Sequence, residues 1–316
     1  MKEPSKLLLK LSQRLFTEAT DRDAFVEAIV HPQPFHPCIL WCRDRPDESP
    51  FATESPLPWQ PACVDRLALG QRPGQHPLHQ EGYFYCLDFS SVFAVSVLLA
   101  IEKPVDRVFD MCAAPGGKSL FAWVALQPKL LLSNEVIGKR TAPLIANLKR
   151  CQVHPAAVLS VDSKPLADLI PGTCPVVMVD APCTGQSLLA KGDEAPGCFH
   201  PININKNANR QKRILANSAQ LVAPGGFLAY MTCAYSLEEN EQVCTWFLER
   251  FPQFEAIVVP HLSSYQSHLA DFPCYRIWPH HRLGAGAFAA LFHNRQKGNP
   301  PEMAEVFLQH PGVKWL

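Results

Sequence analysis

The sequence lacks the features of a membrane protein or a strongly charged one. Its apolar runs stay short of the roughly 20 residues that cross a bilayer, and the longest, 92–101, is better explained as a buried helix. An excess of one charge is also missing, since 29 basic residues face 29 acidic ones. A polyanionic partner must therefore be held by a local patch rather than by net charge.

Repeated CxxC pairs are missing as well, although the chain has 12 cysteines. His31, His36, Cys38 and Cys42 lie near one another, but a CxxxC spacing within an apolar strand is poor zinc-ligand geometry. We expect no signal sequence at the N-terminus, because lysine and arginine interrupt its apolar residues. We expect no metal, no membrane partner, a reducing cytoplasmic compartment and a monomer.

The 316 residues, 47% of them hydrophobic, are enough for one large domain and one small domain. Apolar spacing predicts helices over 4–17, 22–30 and 60–69 and a strand over 38–42. The Gly-, Pro- and His-rich segment 70–79 is the candidate boundary. We therefore predict a small N-terminal α/β domain over 1–78 and a second domain over 79–316.

The second domain alternates apolar strands with amphipathic helices. Residues 88–91, with the sequence DFSS and beginning at Asp88, offer N-cap residues for a predicted helix over 92–101. Strands are predicted near 105–111, 129–134, 156–161, 175–180 and 226–232, and helices near 117–126, 138–150, 207–222 and 237–250. Two more apolar runs, 254–259 and 286–293, follow. Such alternation predicts a mostly parallel sheet with helices on both faces.

The segment from Val105 to Ser119 predicts a strand, a turn of small residues and the start of a helix, which suits an anionic cofactor group. A phosphate loop is disfavoured, because Cys112 stands where that motif needs glycine. A GxGxxG dinucleotide motif is missing too. Glu135, 19 residues after Gly116, is spaced to bind ribose hydroxyls. A ribose-bearing cofactor that is not a dinucleotide fits best.

Strand ends gather further reactive groups at one edge of the predicted sheet. Ligands bind at the carboxyl ends of parallel strands, and the side chains expected there are Asp110, Glu135, Asp162, Asp180 and Cys233. Asp162, taken alone, is explained equally well as a helix cap. The strand ending in Asp180 also resembles the magnesium-binding strand of a phosphate-loop enzyme.

Cys183 and Cys233 follow two successive predicted strands. Neighbouring parallel strands lie about 4.8 Å apart, so their loops can bring two thiols into one pocket. Cys233 precedes a helix start, where a thiolate is stabilised. Two thiols beside a ribose-bearing cofactor suit methylation of a pyrimidine at carbon 5, with a methyl sulfonium as the donor. One thiolate adds to carbon 6, a second group helps to release the product, and Asp180 is placed to hydrogen-bond ring nitrogen 3.

These residues resemble the RsmB/NSUN-type RNA 5-cytosine methyltransferases. The resemblance covers about Tyr83 to Phe292 and rests on motifs in the family's order, which are LDFSS, DMCAAPGGKS, NEVIGKR, DAPCTG, RQKRILANSAQLVAPGG, MTCAYSLEENE and RIWPHHRLGAGAF. It implies the class I Rossmann-like methyltransferase fold, with a seven-stranded sheet whose last strand is antiparallel. It also implies a small RNA-binding domain before the catalytic domain.

The resemblance assigns roles to individual positions. Cys233 would be the nucleophile and Cys183 would assist product release, with Asp180 and Lys118 beside them. S-adenosylmethionine would be bound by Cys112, Ala113, Ala114, Pro115, Gly116, Gly117, Lys118, Glu135, Arg140, Asp162 and Asp180. Lys118 would contact either the cofactor carboxylate or Asp180, and the sequence leaves both open.

Two basic patches are candidates for binding ribosomal or transfer RNA. Lys206, Arg210 and Arg213 follow helical spacing and form one stripe, which could equally be a solvated helix face. Arg276 and His280, with aromatic residues interleaved, form a second patch, or only a turn before the last strand. A base that enters a deep pocket must be unstacked, which favours single-stranded or loop RNA. A non-catalytic RNA-binding or ribosome-assembly protein and a nucleotide hydrolase are the alternatives.

Overall fold

The computed structural model describes residues 3–316, so that residues 1 and 2 of the predicted N-terminal domain lie outside the described part. The N-terminal region contains three helices and three strands, namely α1 (Lys6–Leu15), α2 (Ala19–Val30), β1 (Cys38–Trp41), β2 (Val64–Arg66), α3 (Pro77–Gln80) and β3 (Phe84–Cys86). Helix α1 begins where Ser5 Oγ accepts a hydrogen bond from Leu8 N at 3.2 Å. Leu8, Leu11 and Leu15 form its buried face.

The three strands form an antiparallel sheet in the order β2-β1-β3. The predicted helix over 60–69 is wrong, because this segment supplies β2, which pairs with β1. The indole of Trp41 donates a hydrogen bond to Asp65 at 2.7 Å, so tertiary pairing overrides the local helical spacing. Strand β3 also pairs with β1. A unit that holds the whole small sheet therefore extends at least to Cys86, while the division after residue 78 stays a prediction.

The larger region carries the predicted alternation. Its elements are α4 (Phe89–Val95), β4 (Arg107–Asp110), α5 (Gly117–Leu126), β5 (Leu130–Asn134), α6 (Thr141–Arg150), β6 (Ala156–Leu159), α7 (Ser163–Leu169), β7 (Cys174–Asp180), α8 (Pro201–Leu221), β8 (Val222–Thr232), α9 (Glu241–Arg250), β9 (Phe254–Ala256), β10 (Tyr275–Ile277), β11 (Ala287–Asn294), α10 (Glu305–Leu308) and β12 (Val313–Trp315). The sequence pattern missed the short helix α7.

The strands of this region form one sheet in the order β10-β11-β8-β7-β4-β5-β6-β12, with β9 paired to β11. Strands β4 to β8 are parallel to one another, whereas β11 runs antiparallel to β8, as predicted, and β12 runs antiparallel to β6. The predicted fold class, a mostly parallel sheet with helices on both faces, is confirmed. The sheet has nine strands rather than seven, because the three-residue strands β10 and β12 add to it.

Helix ends match the sequence signals to different degrees. Asp88 is the N-cap of α4, as predicted, and accepts a hydrogen bond from Ser90 N at 2.8 Å. The predicted helix over 92–101 is an α-helix only to Val95 and continues as a 3-10 helix over Ser96–Ala100. Helix α8 begins at Pro201 rather than near 207, since proline suits the first turn and His200 caps it.

Both faces of the large sheet are covered. Val108 and Leu131 pack into the core on one face, and Phe109 and Leu132 pack into the core on the other. In the part of the chain that the structure covers, no helix combines the length and apolar character needed to cross a bilayer.

Helices α1 and α2 pack against the large region rather than against the small sheet alone. Phe25 on α2 is fully buried, with its ring centroid 5.1 Å from that of Tyr235. Phe16, which follows α1, lies 4.8 Å from Trp278 between ring centroids. The N-terminal helices therefore contact the segment that follows β8, close to Cys233.

Candidate active site

A cavity of about 330 Å³ opens at the carboxyl ends of β4, β5, β7 and β8. It is lined by Met111, Cys112, Ala114, Glu135, Val136, Ile137, Arg140, Asp180, Ala181, Pro182, Cys183, Gly185, Arg210, Ile214 and Cys233. The predicted gathering of strand-end groups at one edge is thus observed for Glu135, Asp180 and Cys233.

The loop between β4 and α5 forms one wall of this cavity. Gly116 has a φ of +111°, a conformation that L side chains rarely adopt, and a Cβ there would lie 3.1 Å from Leu144 Cδ1. Beneath the loop, Asp110 is fully buried and accepts hydrogen bonds from Ser119 Oγ at 2.7 Å and Cys112 N at 3.3 Å. Burial raises the pKa of Asp110 to about 7.

Glu135 and Arg140 join β5 to this loop. Glu135 is buried, with 3% of its surface exposed, and its carboxylate lies 2.9 Å from Arg140 Nη1. Arg140 Nη2 donates to the carbonyl of Ala114 at 2.7 Å, and Glu135 Oε1 accepts from Ile137 N at 2.9 Å. Arg140 therefore links the acid to the loop, while the exposed side chains of Val136 and Ile137 form an apolar wall.

Lys118 pairs with Asp180, which is one of the two contacts that the sequence left open. Lys118 Nζ lies 2.7 Å from Asp180 Oδ2, and the lysine side chain is 14% exposed. Burial alone lowers the pKa of an ammonium, but the adjacent Asp180 carboxylate outweighs it, so the net shift of the Lys118 pKa is upward. In this structure Lys118 is a charged neighbour of Asp180.

Cys183 and Cys233 lie side by side, with 3.1 Å between their sulfur atoms. Both are free, half-buried thiols, and the separation exceeds the S–S bond length of about 2.05 Å. The loop after β7 carries Cys183 and the loop after β8 carries Cys233, as neighbouring strands predict. The pair borders the same cavity as Glu135 and Asp180.

The two thiols have opposite acidities. The hydrogen bond from Cys183 is the largest influence on Cys233 and, with Ser187 and Lys118, lowers its pKa to about 7 against the effect of burial. The same hydrogen bond, followed by burial, raises the pKa of Cys183 well above its usual value. The helix predicted after Cys233 begins as a 3-10 helix at Leu237–Glu239 and becomes an α-helix at Glu241. The neighbouring thiol, rather than this helix start, is the main cause of the lowered pKa.

Asp162 has the role of a helix cap. Its side chain accepts a hydrogen bond from Lys164 N at 3.0 Å at the start of α7. It lies 3.7 Å from Arg213 Nη2 and outside the residues that line the cavity. A part in cofactor binding stays a prediction for Asp162.

The basic stripe on α8 borders the site. Arg210 lines the cavity, Lys206 is exposed one turn earlier, and Arg213 reaches toward Asp162. Gln211, on the same helix, donates a hydrogen bond to the carbonyl of Pro182 at 3.0 Å. The stripe therefore lies beside the Cys183 loop, as its position in the sequence suggested.

The second basic patch is different from the prediction. Arg276 is buried, and its guanidinium pairs with Glu241 at 2.5 Å, where both side chains are 3% exposed. The prediction that Arg276 contacts RNA is therefore wrong, because Glu241 binds the guanidinium in the protein interior. The His280 ring packs beside Phe16 and Phe25. Burial, and then the neighbouring His281, lowers the pKa of His280 to about 4, so its ring is neutral and unsuited to neutralising a phosphate.

Several buried polar residues behind the thiols were missed from the sequence. They are Gln186, Ser187, Gln211, Ser236 and Glu239. Glu239 accepts hydrogen bonds from Thr184 on one cysteine loop and from Ser236 on the other. The only signal in the sequence is an acid within an otherwise ordinary helix start, which does not distinguish a buried carboxylate from a solvated one.

A second, wider cleft of about 640 Å³ lies between the N-terminal sheet and the segment 191–192. Lys191 and Asp88 form an ion pair of 2.7 Å on its wall. Lys191 ends the 3-10 helix Gln186–Lys191, which follows the Cys183 loop. The cleft is thus a neighbour of the thiol site, while the predicted cofactor-binding acids belong to the smaller cavity.

Known proteins share both the sequence pattern and the fold. Ribosomal RNA small subunit methyltransferase F of Vibrio parahaemolyticus is 33% identical over 205 residues, which are 63% of this chain and 42% of that protein. The protein of the same name from Vibrio vulnificus is 30% identical over 272 residues, covering 83% of this chain and 57% of the relative. The chain spans about half the length of the curated relatives it matches.

Solved structures agree on the fold. A methyltransferase homolog protein from Pyrococcus horikoshii superposes with a TM-score of 0.70 at 22% identity, covering 92% of this chain and 99% of that one. NSun6 from the same organism superposes with a TM-score of 0.74 at 18% identity, covering 93% and 99% of the two chains. These neighbours have the same mixed α/β architecture.

A family model described as 16S rRNA methyltransferase RsmB/F matches residues 97–293. This range contains the cofactor-type loop, both thiols of the 3.1 Å pair and all but the last residue of the antiparallel strand β11. It covers more than half of the chain. The chain therefore belongs to the 16S rRNA methyltransferase RsmB/F family.

Proposed function

We propose that this protein transfers a methyl group from S-adenosylmethionine to carbon 5 of a cytosine in RNA. The observation that carries the proposal is the contact of 3.1 Å between Cys183 Sγ and Cys233 Sγ beside the Lys118–Asp180 pair. Two thiols of opposite acidity, next to an acid–ammonium pair, match the needs of covalent pyrimidine methylation better than those of binding alone.

The residues of the small cavity fit the cofactor. Glu135 uses one carboxylate oxygen for Ile137 N and the other for Arg140, which leaves lone pairs for the two ribose hydroxyls. Val136 and Ile137 offer apolar contact to an adenine. Among residues 3–316, no side chain caps the start of the ten-residue helix α5, so its amides and positive end suit the cofactor carboxylate.

The cofactor-binding assignment of the loop 112–117, Lys118, Glu135, Arg140, Asp162 and Asp180 remains a proposal. Glu135 would bind the ribose, and Arg140 would keep the loop and Glu135 in register through Ala114. S-adenosylmethionine supplies, when bound, a methyl group activated by a positively charged sulfur.

Cys233 is the proposed nucleophile. A pKa of about 7 leaves a large fraction of this thiol ionised near neutral pH. Its sulfur would form a bond to carbon 6 of the cytosine, and the electron pair of the 5,6 double bond would move to carbon 5. That carbon then has the electron density that a methyl acceptor requires.

Asp180 and Lys118 would assist the addition. The Lys118 ammonium donates a hydrogen bond of 2.7 Å to Asp180 beside the thiols. As the thiolate adds, a proton would pass from this ammonium through the Asp180 carboxylate to ring nitrogen 3, which makes carbon 6 more electrophilic, and it would return when the product is released. Lys118, held protonated by this pair, orients the carboxylate. Lys118 would thus hold the Asp180 carboxylate toward the cytosine ring rather than toward solvent.

Cys183 would act after methylation. Its pKa is high chiefly because it donates a hydrogen bond to Cys233. Once the Cys233 sulfur is bonded to carbon 6, that hydrogen bond to a thiolate is lost and Cys183 ionises more easily. With its own proton released to solvent, the Cys183 thiolate can then take the proton from carbon 5, so that the double bond re-forms and the Cys233 sulfur leaves as a thiolate.

The substrate is proposed to be single-stranded or loop RNA. A cytosine must leave its stack to reach thiols at the base of a cavity, which is easiest where it is unpaired. Ribosomal RNA is the first class to test, because the family and its curated relatives are named for it, and transfer RNA is the second. The exposed Lys206 and the cavity-lining Arg210 are the proposed contacts to the RNA backbone.

The test is transfer of a radiolabelled methyl group to total RNA from cells that lack the protein. Cys233→Ala should abolish transfer, and Cys183→Ala should accumulate a covalent protein–RNA adduct that survives denaturing electrophoresis. Cys63→Ser is the matched control, since Cys63 is a half-buried thiol of the N-terminal region.

Full activity of Cys233→Ala, or an adduct that depends on Cys183 and persists without Cys233, would reverse the two roles. Label at a position other than carbon 5 of cytosine, read from nucleoside mass spectrometry, would refute the proposed chemistry. Binding of RNA without transfer by the unaltered protein and its cofactor would favour a non-catalytic role.

A further inference from the structure

Glu239 is a fully buried acid whose carboxylate has four hydrogen-bond donors around it. Thr184 donates from its backbone N at 2.8 Å and from Oγ1 at 2.6 Å. Ser236 Oγ donates at 2.8 Å and Gln211 Nε2 at 3.0 Å. Burying a charged carboxylate is costly unless it is hydrogen-bonded, and these four donors offset that cost for Glu239.

The donors belong to the two loops that carry the thiols. Thr184 directly follows Cys183, and Ser236 stands three residues after Cys233. Gln211 also donates to the carbonyl of Pro182, directly before Cys183, at 3.0 Å. One carboxylate therefore joins the Cys183 loop, the Cys233 loop and helix α8.

The backbone of Glu239 is itself fixed from the sheet. Tyr230 OH, on β8, donates to the Glu239 carbonyl at 2.6 Å. A second link runs parallel to it, because Gln186 Oε1 accepts from Tyr235 N at 2.6 Å and from Ser236 N at 3.0 Å. The carboxylate is thus held at a defined distance from both strand ends.

We propose that Glu239 is a positioning residue that holds the Cys183 and Cys233 loops together and so sets the contact between the two sulfur atoms. The inference rests on the proposed function for its biological meaning, but the thiol geometry it concerns exists without RNA. Since a hydrogen bond between sulfur atoms weakens steeply with distance and angle, loosening either loop would end the stabilisation of the Cys233 thiolate.

A purely electrostatic role makes a different prediction. The negative charge of Glu239 contributes to the raised pKa of Cys183, after the hydrogen bond to Cys233, burial and the charge on Cys233. Removal of the charge would act equally in Glu239→Gln and Glu239→Ala. A positioning role separates them, because glutamine keeps the shape, accepts from Thr184 N and Gln211, and lets the hydroxyls rotate to accept from its amide.

The experiment measures how the alkylation rate of Cys233 by iodoacetamide depends on pH in the full chain without RNA. The modified peptide is quantified by mass spectrometry so that the other thiols do not interfere. Glu239→Ala should shift the midpoint from about 7 toward the ordinary thiol value, which lowers the rate at pH 7 by about tenfold or more. Glu239→Gln should keep the midpoint of the unaltered protein.

The matched control is Glu238→Ala, since Glu238 is the adjacent acid and its pair is the partly exposed one with Arg14. It should leave the Cys233 profile unchanged. If Glu239→Ala does not fold, as judged by thermal unfolding, Thr184→Val and Ser236→Ala remove one donor each and should shift the midpoint upward by smaller amounts.

An unchanged midpoint in Glu239→Ala or, where that variant does not fold, in both single-donor variants overturns the proposal. Equal shifts in Glu239→Gln and Glu239→Ala also overturn it, in favour of a charge effect. The proposed function is tested separately by methyl transfer, so an inactive but correctly titrating protein would refute that function and leave the positioning role intact.

Discussion

At the scale of single residues, the buried carboxyl group of Asp110, beneath the loop between β4 and α5, makes the stability of the fold depend on pH. Its carboxyl group is fully buried at the end of β4 and hydrogen-bonded to Ser119 and Cys112 N, with burial raising its pKa to about 7. Between about pH 4 and pH 7, the folded state keeps a proton that the unfolded chain has lost. The free energy of unfolding therefore falls as the pH rises through that window, because unfolding releases this proton.

Asp110→Asn should remove this pH dependence. Asparagine keeps the acceptor for Cys112 N and cannot ionise, so the variant should gain stability relative to the unaltered protein as the pH rises from 5 to 8. Urea unfolding of both proteins at pH 5, 6, 7 and 8 measures the difference. Parallel stability curves would show that Asp110 is ionised in the folded state throughout.

Other residues show why chemistry alone does not assign a role. Arg276 and Lys118 are both cations next to site motifs in the sequence. Arg276 is used within the fold by Glu241, whereas Lys118 faces Asp180 beside the thiols. Residue type predicted the positive charge in each case, and burial and partner decided what the charge does.

Among the elements, helix α8 combines a structural face with a basic one. Ile204, Ala208 and Leu215 are buried, while Lys206 is exposed and Arg210 lines the cavity. The helical spacing of Lys206, Arg210 and Arg213 predicted that these three residues share one face. The predicted start near 207 is wrong by about two turns, because Pro201 occupies the first turn, where proline is tolerated.

Lys206→Ala should weaken RNA binding in a salt-dependent way. Loss of one phosphate contact to single-stranded RNA should lower the magnitude of the slope of log K against log salt by about 0.7. Fluorescence anisotropy with an unpaired, cytosine-containing RNA over a range of salt concentrations measures the slope.

The control is Lys297→Ala. Lys297 is exposed and follows Asn294, which hydrogen-bonds the start of β8 at the edge of the sheet opposite the thiols. This variant should keep the slope of the unaltered protein. An unchanged slope in Lys206→Ala would mean that the stripe is only a solvated helix face.

In the molecule as a whole, the N-terminal helices and the thiol site share one cluster of aromatic side chains. Phe25 contacts Phe16, Tyr235 and Trp278 with ring centroids 5.1–5.8 Å apart, and Tyr235 stands two residues after Cys233. The packing of the N-terminal region is therefore part of the support of the Cys233 loop.

Phe25→Ala should lower the free energy of unfolding by about 3–5 kcal/mol, because it leaves a cavity in a closely packed cluster. Leu9→Ala is the control, since Leu9 lies on α1 but is 40% exposed, and its effect should stay within about 0.5 kcal/mol. Chemical denaturation measures both. A small loss in Phe25→Ala would mean that the N-terminal helices are only loosely packed against this region.

The sequence by itself determined the alternation of strands and helices, the fold class, the family resemblance and the strand ends at which Glu135, Asp180, Cys183 and Cys233 stand. These features depend on local periodicity and on motifs that are continuous in the chain. The resemblance predicted that the last long strand runs antiparallel, and β11 confirms this prediction.

Only the tertiary structure decided the pairings between distant residues. Four of these pairings join parts of the chain that are far apart in sequence. They are the ion pair of Lys118 with Asp180, the buried ion pair of Arg276 with Glu241, the pairing of strand β2 with β1 and the hydrogen bonds of Thr184 to Glu239. Their energies depend on distance and desolvation, which a linear pattern does not contain. The acidity of Cys233 is of this kind, since it depends chiefly on a thiol 50 residues away in the chain.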